Sequence, residues 1–567
     1  MLLAVAACGS DKREQPNDGR EVRYHCDPAA APADEAPLRR LTRVQLVNTV
    51  DRLVEEFAPS SATAIESALA EPIDRMPNDT LIGTRHGGLS RLDQALQQQL
   101  NDATYFLAVA VGKELTSSRA RITEVVGACA TDSSTTNDAT CLADFIKRFG
   151  AKAFRQPLND DEVASFTAAA EDGPVAATSL ARVIGLVLAS PQFFYHMEYG
   201  QPDGPESGLV PLSAYELAAR LSYHFWDQPP DDELWEAAAN GSLLDDAVYA
   251  AQVNRVVLDP RTASALGQFF REWLELDLVP TLDGRIGEPL FDAFAGDDVP
   301  DAELRDAIIA DVVAATQYEL SHGGSFTSLL RNTKSFAQHD GLAKLYGVPR
   351  WDGTSEPPQM PEGRTGLLTR AAFLVTGSAN TRPVRKGIFI RSALMCDTVP
   401  SPPADADLTP PVATADSTVR ESLEERTEAP GTVCAGCHTP FINHLGYATE
   451  SFDALGRMRA HETLFDDNAM PIREVAVNTV SIPQVIPGDT TESRGAGDLT
   501  DLIDKSGKAH SCIARDYFRF AFERLEDETR DGCTLAALEE QAQLDRPLID
   551  VFSSVALQSN FRMKRFQ

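Results

Sequence analysis

Apolar residues along most of the chain recur at three- and four-residue steps, which is the spacing of amphipathic helices. Two clear runs are Leu46, Val50, Leu53 and Val54, and Leu217, Leu221 and Phe225. A third pattern predicts a long helix from Asp301 to His322 that ends at Gly323-Gly324. Alternation typical of strands is scarce, and residues 474–485 predict a short hairpin or an irregular loop. We therefore predict a mainly α protein with several packed helical domains.

Polar residues mark the starts of several helices. The capping-box pairs, in which cap and third residue bond reciprocally, are Thr42 with Gln45, Asn159 with Glu162, and Ser213 with Glu216. At 567 residues the chain is too long for one hydrophobic core, so more than one domain is expected.

Acidic residues dominate the charge, with 84 Asp and Glu against 51 Lys and Arg and a net charge of -33. Such a field repels phosphate backbones and anionic lipid. We therefore expect no nucleic-acid partner, and we expect any partner drawn by charge to be cationic. No run of about 18 apolar residues exists, so the sequence predicts no membrane-spanning helix.

The first eight residues form a short apolar run that leads into Cys8. The sequence Val5-Ala6-Ala7-Cys8 resembles the bacterial lipobox, in which the cysteine becomes the lipidated N-terminus. A basic region before the apolar run is missing, so either the start lies upstream of Met1 or this is not a signal. We favour the first alternative and predict an exported protein, periplasmic or at the cell surface, anchored through Cys8.

Six cysteines remain after Cys8 and the pair Cys434 and Cys437 are set aside. An even remainder in an exported protein predicts disulfides, although six free thiols are an alternative. Closeness in sequence predicts the pairs Cys129–Cys141 and Cys512–Cys533. The pairing of Cys26 and Cys396 stays open.

The sequence Cys434-Ala435-Gly436-Cys437-His438 contains C-x-x-C-H, the attachment motif of a c-type haem. Two thiols three residues apart reach two porphyrin vinyl groups, and the adjacent imidazole of His438 binds the iron. We therefore predict one covalent haem c. A zinc knuckle that also uses His444, or a redox dithiol, are the alternatives.

The second axial ligand of the iron is less defined by the sequence. Met470 precedes Pro471 in a polar loop, as methionine ligands of small cytochromes c do, and is our first choice. Met458, His444 and His461 compete with it, and an open five-coordinate iron is the next alternative.

A basic patch comprises Arg382, Arg385, Lys386 and Arg391. We interpret it as a helix face that neutralises surrounding carboxylates. The alternative is that it pairs with haem propionates or an anionic partner.

Several segments resemble the multi-domain cytochrome-like proteins of planctomycetes and myxobacteria, which are built from a series of domains of unknown function. The resembling segments, in chain order, are 39–50, 145–158, 188–193 with 215–223, 364–387 with Cys396, and 512–524 with 560–562. One departure follows the haem motif, where the family tends to read Ile-Asp-Pro-Leu-Gly-Phe and this chain reads Ile442-Asn443-His444-Leu445-Gly446-Tyr447. The resemblance implies a cytochrome-like exported protein and no particular reaction.

Breaks in the pattern and the resemblance together predict six segments. They are 1–36, a lipoprotein signal remnant and tether; 37–128, 129–200 and 205–350, three helical domains; 360–465, a cytochrome-c-like haem-attachment domain with a Pro-rich lead-in; and 466–567, a C-terminal helical domain.

The function that these features favour is electron transfer or a haem-dependent oxidation outside the cytoplasm, with a redox protein as partner. Whether the chain is an enzyme, an oxidoreductase in that case, stays open, and no catalytic residue is identified. The alternative is a surface interaction protein or polysaccharide-associated scaffold with a structural or vestigial C-x-x-C-H. No nucleotide-binding or Ser/His/Asp pattern stands out.

Overall fold

The computed structural model describes residues 20–30, 38–83, 88–201, 208–404 and 406–566. These residues are mainly α-helical, as predicted. None of the helices in the described part is both long and apolar enough to cross a membrane. The predicted lipidation site Cys8 lies outside the described residues and stays a prediction.

Helices occur throughout the described residues. In chain order they are α1 (Arg43–Phe57), α2 (Ala62–Asp74), α3 (Gln98–Leu115), α4 (Arg119–Val125), α5 (Asp138–Phe154), α6 (Asp160–Ala168), α7 (Ala177–Leu188), α8 (Pro191–Phe194), α9 (Ala214–Trp226), α10 (Asp232–Ala239), α11 (Asp246–Val257), α12 (Pro260–Trp273), α13 (Pro289–Ala295), α14 (Leu304–Ser321), α15 (Phe326–Leu330), α16 (Asp340–Tyr346), α17 (Pro383–Phe389), α18 (Val419–Thr427), α19 (Val433–Cys437), α20 (Asn443–Tyr447), α21 (Ala496–Ser506), α22 (Lys508–Phe522), α23 (Gly532–Gln543) and α24 (Leu548–Ala556).

Strands are short and form two-stranded antiparallel pairs. They are β1 (Arg39–Arg40) with β2 (Tyr195–His196), β3 (Gly208–Pro211) with β6 (Met563–Phe566), and β4 (His461–Phe465) with β5 (Pro471–Ala476). In the last pair His461 lies opposite Ala476. The segment 474–485 therefore divides: its first three residues end β5, and the rest is irregular apart from a bridge between Ser481 and Ser493.

The chain folds into two compact units, each built from separate stretches of sequence. The first unit comprises the described residues of 27–277, 515–534 and 552–566. The second unit comprises the described residues of 20–26, 278–514 and 535–551.

The predicted helix starts are confirmed in the first unit. All three predicted capping boxes are present at the starts of α1, α6 and α9. In the second unit, α14 fills most of the predicted helix 301–322 and ends before Gly323, whose φ of 69° suits a helix terminus.

One hydrophobic core joins helices α1 to α9 of the first unit, and it takes residues from both 37–128 and 129–200. Helices α3 and α7 approach closely because small residues line their crossing. A Cβ added to Gly112 would lie 2.3 Å from the carbonyl oxygen of Ala181. Two segments that the sequence assigns to separate domains thus share one core.

Buried charges also hold the first unit together, around the carboxylate of Glu198. It pairs with Arg39 and Arg220, each at 2.6 Å, and with Lys564 at 3.6 Å. Burial alone would raise the pKa of Glu198, but Arg220 and Arg39 hold it well below its usual range. Residues at the start, middle and end of the chain are therefore joined by one ionic cluster.

Two buried arginines organise the second unit ahead of the haem motif. Arg370 donates to the carboxylate of Asp311 on α14 at 2.8 Å, and both side chains are at most 2% exposed. The guanidinium of Arg364 lies 4.7 Å from the ring centre of Tyr346 and 4.8 Å from that of Phe452. Arginines in the resembling segment 364–387 thus serve packing.

Part of the predicted tether is docked on the second unit. Arg20 donates to the backbone carbonyl of Gln543 at 2.6 Å, and the backbone amides of Arg23 and Tyr24 donate to the carboxylate of Glu539 at 2.9 Å. Tyr24 is 3% exposed. Residues 20–26 are therefore held against the second unit, so this part of the predicted tether is not a free linker. Composition alone could not show it, because the partners lie more than 500 residues away.

One predicted disulfide is present and the other is wrong. Cys129 and Cys141 are bonded. Cys512 is bonded to Cys396, with 5.3 Å between the two Cα atoms. Cys26 and Cys533 each take part in a disulfide. Cys512 lies ten residues before the end of α22, about 15 Å along the helix. Closeness in sequence to Cys533 was therefore a poor guide to closeness in space.

Candidate functional site

The haem motif lies on a short, irregular helix in the second unit. The hydroxyl of Thr432 accepts from the backbone amide of Ala435 and caps α19. A π-helical turn, residues 438–442, follows and leads into α20. Pro440 lies inside this turn, and a proline there lacks an N–H and disfavours the tighter α-helical turn. We call residues 428–447 the attachment segment.

The two motif thiols are unbonded. Cys434 is exposed and Cys437 is partly buried. The other six cysteines in the described part of the chain are all disulfide-bonded. Burial, together with the neighbouring Cys434, raises the pKa of the Cys437 thiol.

The imidazole of His438 is held through one ring nitrogen. Its Nδ1 lies 2.9 Å from Oδ1 of Asn443. The Asn443 side chain is fully buried, and its Nδ2 donates to Oγ1 of Thr427 at 2.9 Å and to Oε1 of Glu428 at 2.7 Å. These contacts leave Nε2 of His438 as the nitrogen available to a metal.

Glu428 is the acidic centre of the attachment segment. Its Oε1 also accepts from the hydroxyl of Tyr447 at 2.8 Å, and its Oε2 lies 3.7 Å from Nε2 of His444. Burial favours the neutral acid, but contacts with His444, Asn443 and Tyr447 lower the pKa of Glu428 to about 2. Burial and the adjacent carboxylate raise the pKa of Tyr447 far above its usual range. Glu428 is therefore ionised at neutral pH.

Two glycines allow the attachment segment to pack against α17. A Cβ added to Gly387 would lie 2.0 Å from the carbonyl oxygen of Ile442, and one added to Gly446 would lie 2.1 Å from that of Pro383. The backbones of α17 and α20 thus touch directly. Any larger residue at either position would push the motif helix away from its support.

Two members of the basic patch, Lys386 and Arg391, neutralise neighbouring carboxylates as we interpreted. Lys386 is buried 3.7 Å from the carboxylate of Glu450, and burial lowers the pKa of Lys386. Arg391, 1% exposed, pairs with Asp397 at 3.2 Å and donates to the backbone carbonyl of Phe441 at 3.1 Å. Two of the four basic residues are therefore engaged inside the protein. Arg391 ties the attachment segment to its neighbours.

The predicted zinc alternative is not supported by the geometry. Within the described ranges, no three ligand atoms from Cys434, Cys437, His438 and His444 lie within 4.8 Å of one another. His444 is engaged elsewhere, because its Nδ1 accepts from the backbone amide of Ile482 at 3.0 Å.

The structure does not bring together the candidates for the second axial position. Met470 lies in the turn between β4 and β5 and is 61% exposed, and Met458 is 45% exposed. His461 is an exposed residue at the base of the same hairpin. Ile482, which contacts His444, follows the base of the hairpin, whereas Met470 lies at its tip.

Three residues around His438 have roles that sequence reasoning missed: Thr427, Glu428 and Asn443. Sequence reasoning noted Asn443 only as part of a departure from the family pattern. No periodicity marks them, since Thr427 and Glu428 precede the motif across a loop. The signal that could have found Asn443 is its position five residues after the proposed iron ligand, one wide helical turn later.

Three protein-family models match parts of the chain. The model PSD5, a protein of unknown function (DUF1595), matches residues 141–198. PSD4, a protein of unknown function (DUF1592), matches 212–348, and PSCyt3, a protein of unknown function (DUF1588), matches 364–462. The last range contains the motif, Asn443 and both helix-crossing glycines.

Three of the resembling segments therefore lie within matched domains, and the first and last segments stay predictions. The grouping of 188–193 with 215–223 in one domain is wrong, because 188–193 falls within the model that matches 141–198 and 215–223 within the one that matches 212–348. No curated protein and no solved structure matches the chain.

Proposed function

We propose, from the premise that the chain belongs to the multi-domain proteins built from this series of domains of unknown function, that it is an exported electron-transfer protein with one covalent haem c. The attachment residues are Cys434, Cys437 and His438. The name of the matching model PSCyt3 supports a cytochrome-like domain and goes no further.

The observation that carries the proposal is the state of the cysteines. In the described part of the chain, six cysteines are paired and the two motif thiols are left unbonded. An oxidising compartment would join spare thiols or leave them exposed to damage. Two free thiols next to an oriented histidine have a use there if they form thioethers with a porphyrin.

The surroundings of the motif fit such a group. A Cβ added to Gly436 would meet no atom within 4 Å, so the face between the thiols is open. Val433 is 78% exposed and Phe441 is 37% exposed, which offers apolar side chains beside the thiols. When bound, the haem would supply a one-electron couple between ferric and ferrous iron.

The second axial ligand remains a proposal in which Met470 is first choice. Met470 lies at the exposed tip of the β4–β5 hairpin, where its thioether is free to act as a ligand. A sulfur-to-iron charge-transfer band that Met470→Ala removes would support this ligand. If the parent protein lacks this band, a five-coordinate iron with an open position is favoured. Such an iron suits a haem-dependent oxidation.

Export and a lipid anchor at Cys8 complete the proposal, with a cationic redox protein as partner for an acidic surface. The sequence before and around Cys8 supports this part. Expression from the true start codon in the native host should give a protein that partitions into detergent, and Cys8→Ser should release it. A parent protein that stays in the aqueous phase would reject the anchor.

The haem itself is tested by exporting the full chain in cells that contain the haem-attachment machinery. We expect a reduced c-type absorption spectrum and haem that stays on the protein in a denaturing gel. Cys434→Ala/Cys437→Ala should lose both signals, whereas His322→Ala, a change of an exposed histidine in the same unit, should keep them. A parent protein without covalent haem contradicts the proposed function.

A further inference from the structure

We propose that Asn443 is a positioning residue for the iron ligand: it fixes His438 with a proton on Nδ1 and couples the ring to the charge of Glu428. The inference rests on the proposed function for its consequence at the iron. Its structural half concerns the haem-free protein and can be tested there separately.

The partners of Asn443 determine which way its amide points. The hydroxyl of Thr427 donates to the backbone carbonyl of Leu423 at 2.7 Å, so its oxygen is left to accept. Glu428 is ionised and can accept only. Both groups need a donor from Asn443, and the amide nitrogen is its only donor. The amide oxygen must then face His438.

The orientation of the amide fixes the tautomer of the imidazole. An amide oxygen accepts hydrogen bonds and donates none, so Nδ1 of His438, 2.9 Å away, must carry the proton. In a neutral imidazole the lone pair then lies on Nε2. That nitrogen lies on the far side of the ring from Asn443, and it would be the ligand to the iron of a porphyrin attached through Cys434 and Cys437.

Burial makes this orientation rigid. Asn443 is 0% exposed and Thr427 is 9% exposed, so water cannot readily replace either partner. Hydrogen bonds link Leu423 to Thr427, Thr427 to Asn443, and Asn443 to His438. This series begins in α18 and ends in the π-helical turn. His438 is therefore oriented by a helix that precedes the motif.

The arrangement also sets how strongly His438 can donate electrons. A ligand histidine that bonds to a carboxylate is a stronger base than one that bonds to a neutral acceptor. Here the carboxylate of Glu428 is one amide away, with 2.7 Å between it and Nδ2 of Asn443. The neutral amide between them weakens the effect of the charge. Moving that charge next to the ring should stabilise ferric iron.

The first test reads the tautomer in the full-length haem-free protein, made without the attachment machinery and labelled with ¹⁵N-histidine. The signal of His438 is identified by its loss in His438→Ala. We expect a protonated Nδ1 and an unprotonated Nε2 in the parent, and a mixture of tautomers in Asn443→Leu. Asn254→Leu, an exposed control in the first unit, should leave the signal unchanged. A protonated Nε2 in the parent overturns the inference.

The second test moves the charge in the haem-loaded protein. Glu428→Gln/Asn443→Asp keeps the number of charges and allows an amide-to-carboxylate contact, but places the carboxylate beside His438. We expect the equilibrium to shift about tenfold toward ferric iron, which for a one-electron couple lowers the midpoint potential by about 59 mV. Glu428→Gln alone should shift it in the opposite direction by less.

The outcomes separate this inference from the proposed function. A parent protein that never attaches haem defeats the proposed function, while the tautomer measurement still decides the role of Asn443. A haem-loaded parent whose potential is the same in the charge-moved variant defeats the coupling to Glu428. Loss of the tautomer preference in Asn443→Leu, together with the lowered potential in the charge-moved variant, establishes the positioning role.

Discussion

The ionic cluster of the first unit and the attachment segment of the second unit use their polar residues in opposite ways. In the first unit, buried arginine, glutamate and histidine side chains are paired with other buried side chains. Arg39, Glu198 and Arg220 are at most 7% exposed, and Nε2 of His224 lies 2.9 Å from the hydroxyl of Tyr517. In the second unit, the attachment segment keeps two thiols and one imidazole nitrogen unused at its surface.

This difference separates residues that build the fold from residues that carry chemistry. A polar residue whose donors and acceptors are all satisfied within the core has no capacity left for a ligand. The attachment segment has such a satisfied layer too, formed by Thr427, Glu428 and Asn443, but it lies behind the motif. We therefore expect ligand binding where a side chain with free binding capacity is held by neighbours whose hydrogen bonds are all made.

The largest effect is expected from breaking the ionic cluster of the first unit. Glu198→Gln leaves Arg39 and Arg220 buried without their carboxylate, which should cost about 3–5 kcal/mol of unfolding free energy. Denaturant titration of the full chain measures the loss. Glu55→Gln, which removes an exposed partner of Arg52, should cost about 0–1 kcal/mol. Equal effects of the two changes would show that the cluster is not structural.

The acidic centre of the second unit should produce a pH dependence. The folded-state pKa of Glu428, about 2, lies below its ordinary value of 4.5. The carboxylate therefore contributes fully to the unfolding free energy above pH 4.5, and this contribution is lost as the pH falls to about 2. The shift corresponds to at most about 3 kcal/mol of unfolding free energy, which solvent screening of the half-buried carboxylate reduces. Unfolding free energies of the parent and Glu428→Gln, compared across this range, should converge in acid. Glu425→Gln, an exposed neighbour on α18, should run parallel to the parent, and a Glu428→Gln curve that also runs parallel would contradict the assignment.

The smallest effect is expected at the helix crossing behind the motif. Gly446→Ala places a methyl group against the carbonyl of Pro383 and should cost about 1–3 kcal/mol of unfolding free energy. Gly436→Ala, in the open face of α19, should cost nothing and can add up to about 1 kcal/mol through helix propensity. A neutral Gly446→Ala would mean that α17 and α20 do not touch as described.

Local features of the fold could be predicted from the sequence because their causes are local. The capping boxes at Thr42, Asn159 and Ser213 require residues three apart, and Cys129 and Cys141 are separated by 12 positions. The haem motif is likewise a pattern of five consecutive residues. Each of these is readable from neighbouring letters.

Features that depend on distant partners could not be predicted. Cys396 and Cys512 are 116 positions apart, and Tyr24 is buried by a contact with Glu539. The role of Asn443 depends on a loop that brings Thr427 back toward His438. Sequence spacing does not show which distant residues a loop brings together. The residues that support His438, namely Thr427, Glu428 and Asn443, could therefore be recognised only from the structure.

We propose that Cys434 and Cys437 of the second unit attach a porphyrin through thioether bonds. The most direct measurement is mass spectrometry of the peptide that contains them, taken from the exported full-length protein after alkylation without a reducing agent. The account predicts a peptide that carries one haem and no alkyl group on either sulfur. A peptide without haem, with both sulfurs alkylated or joined to each other, would contradict it.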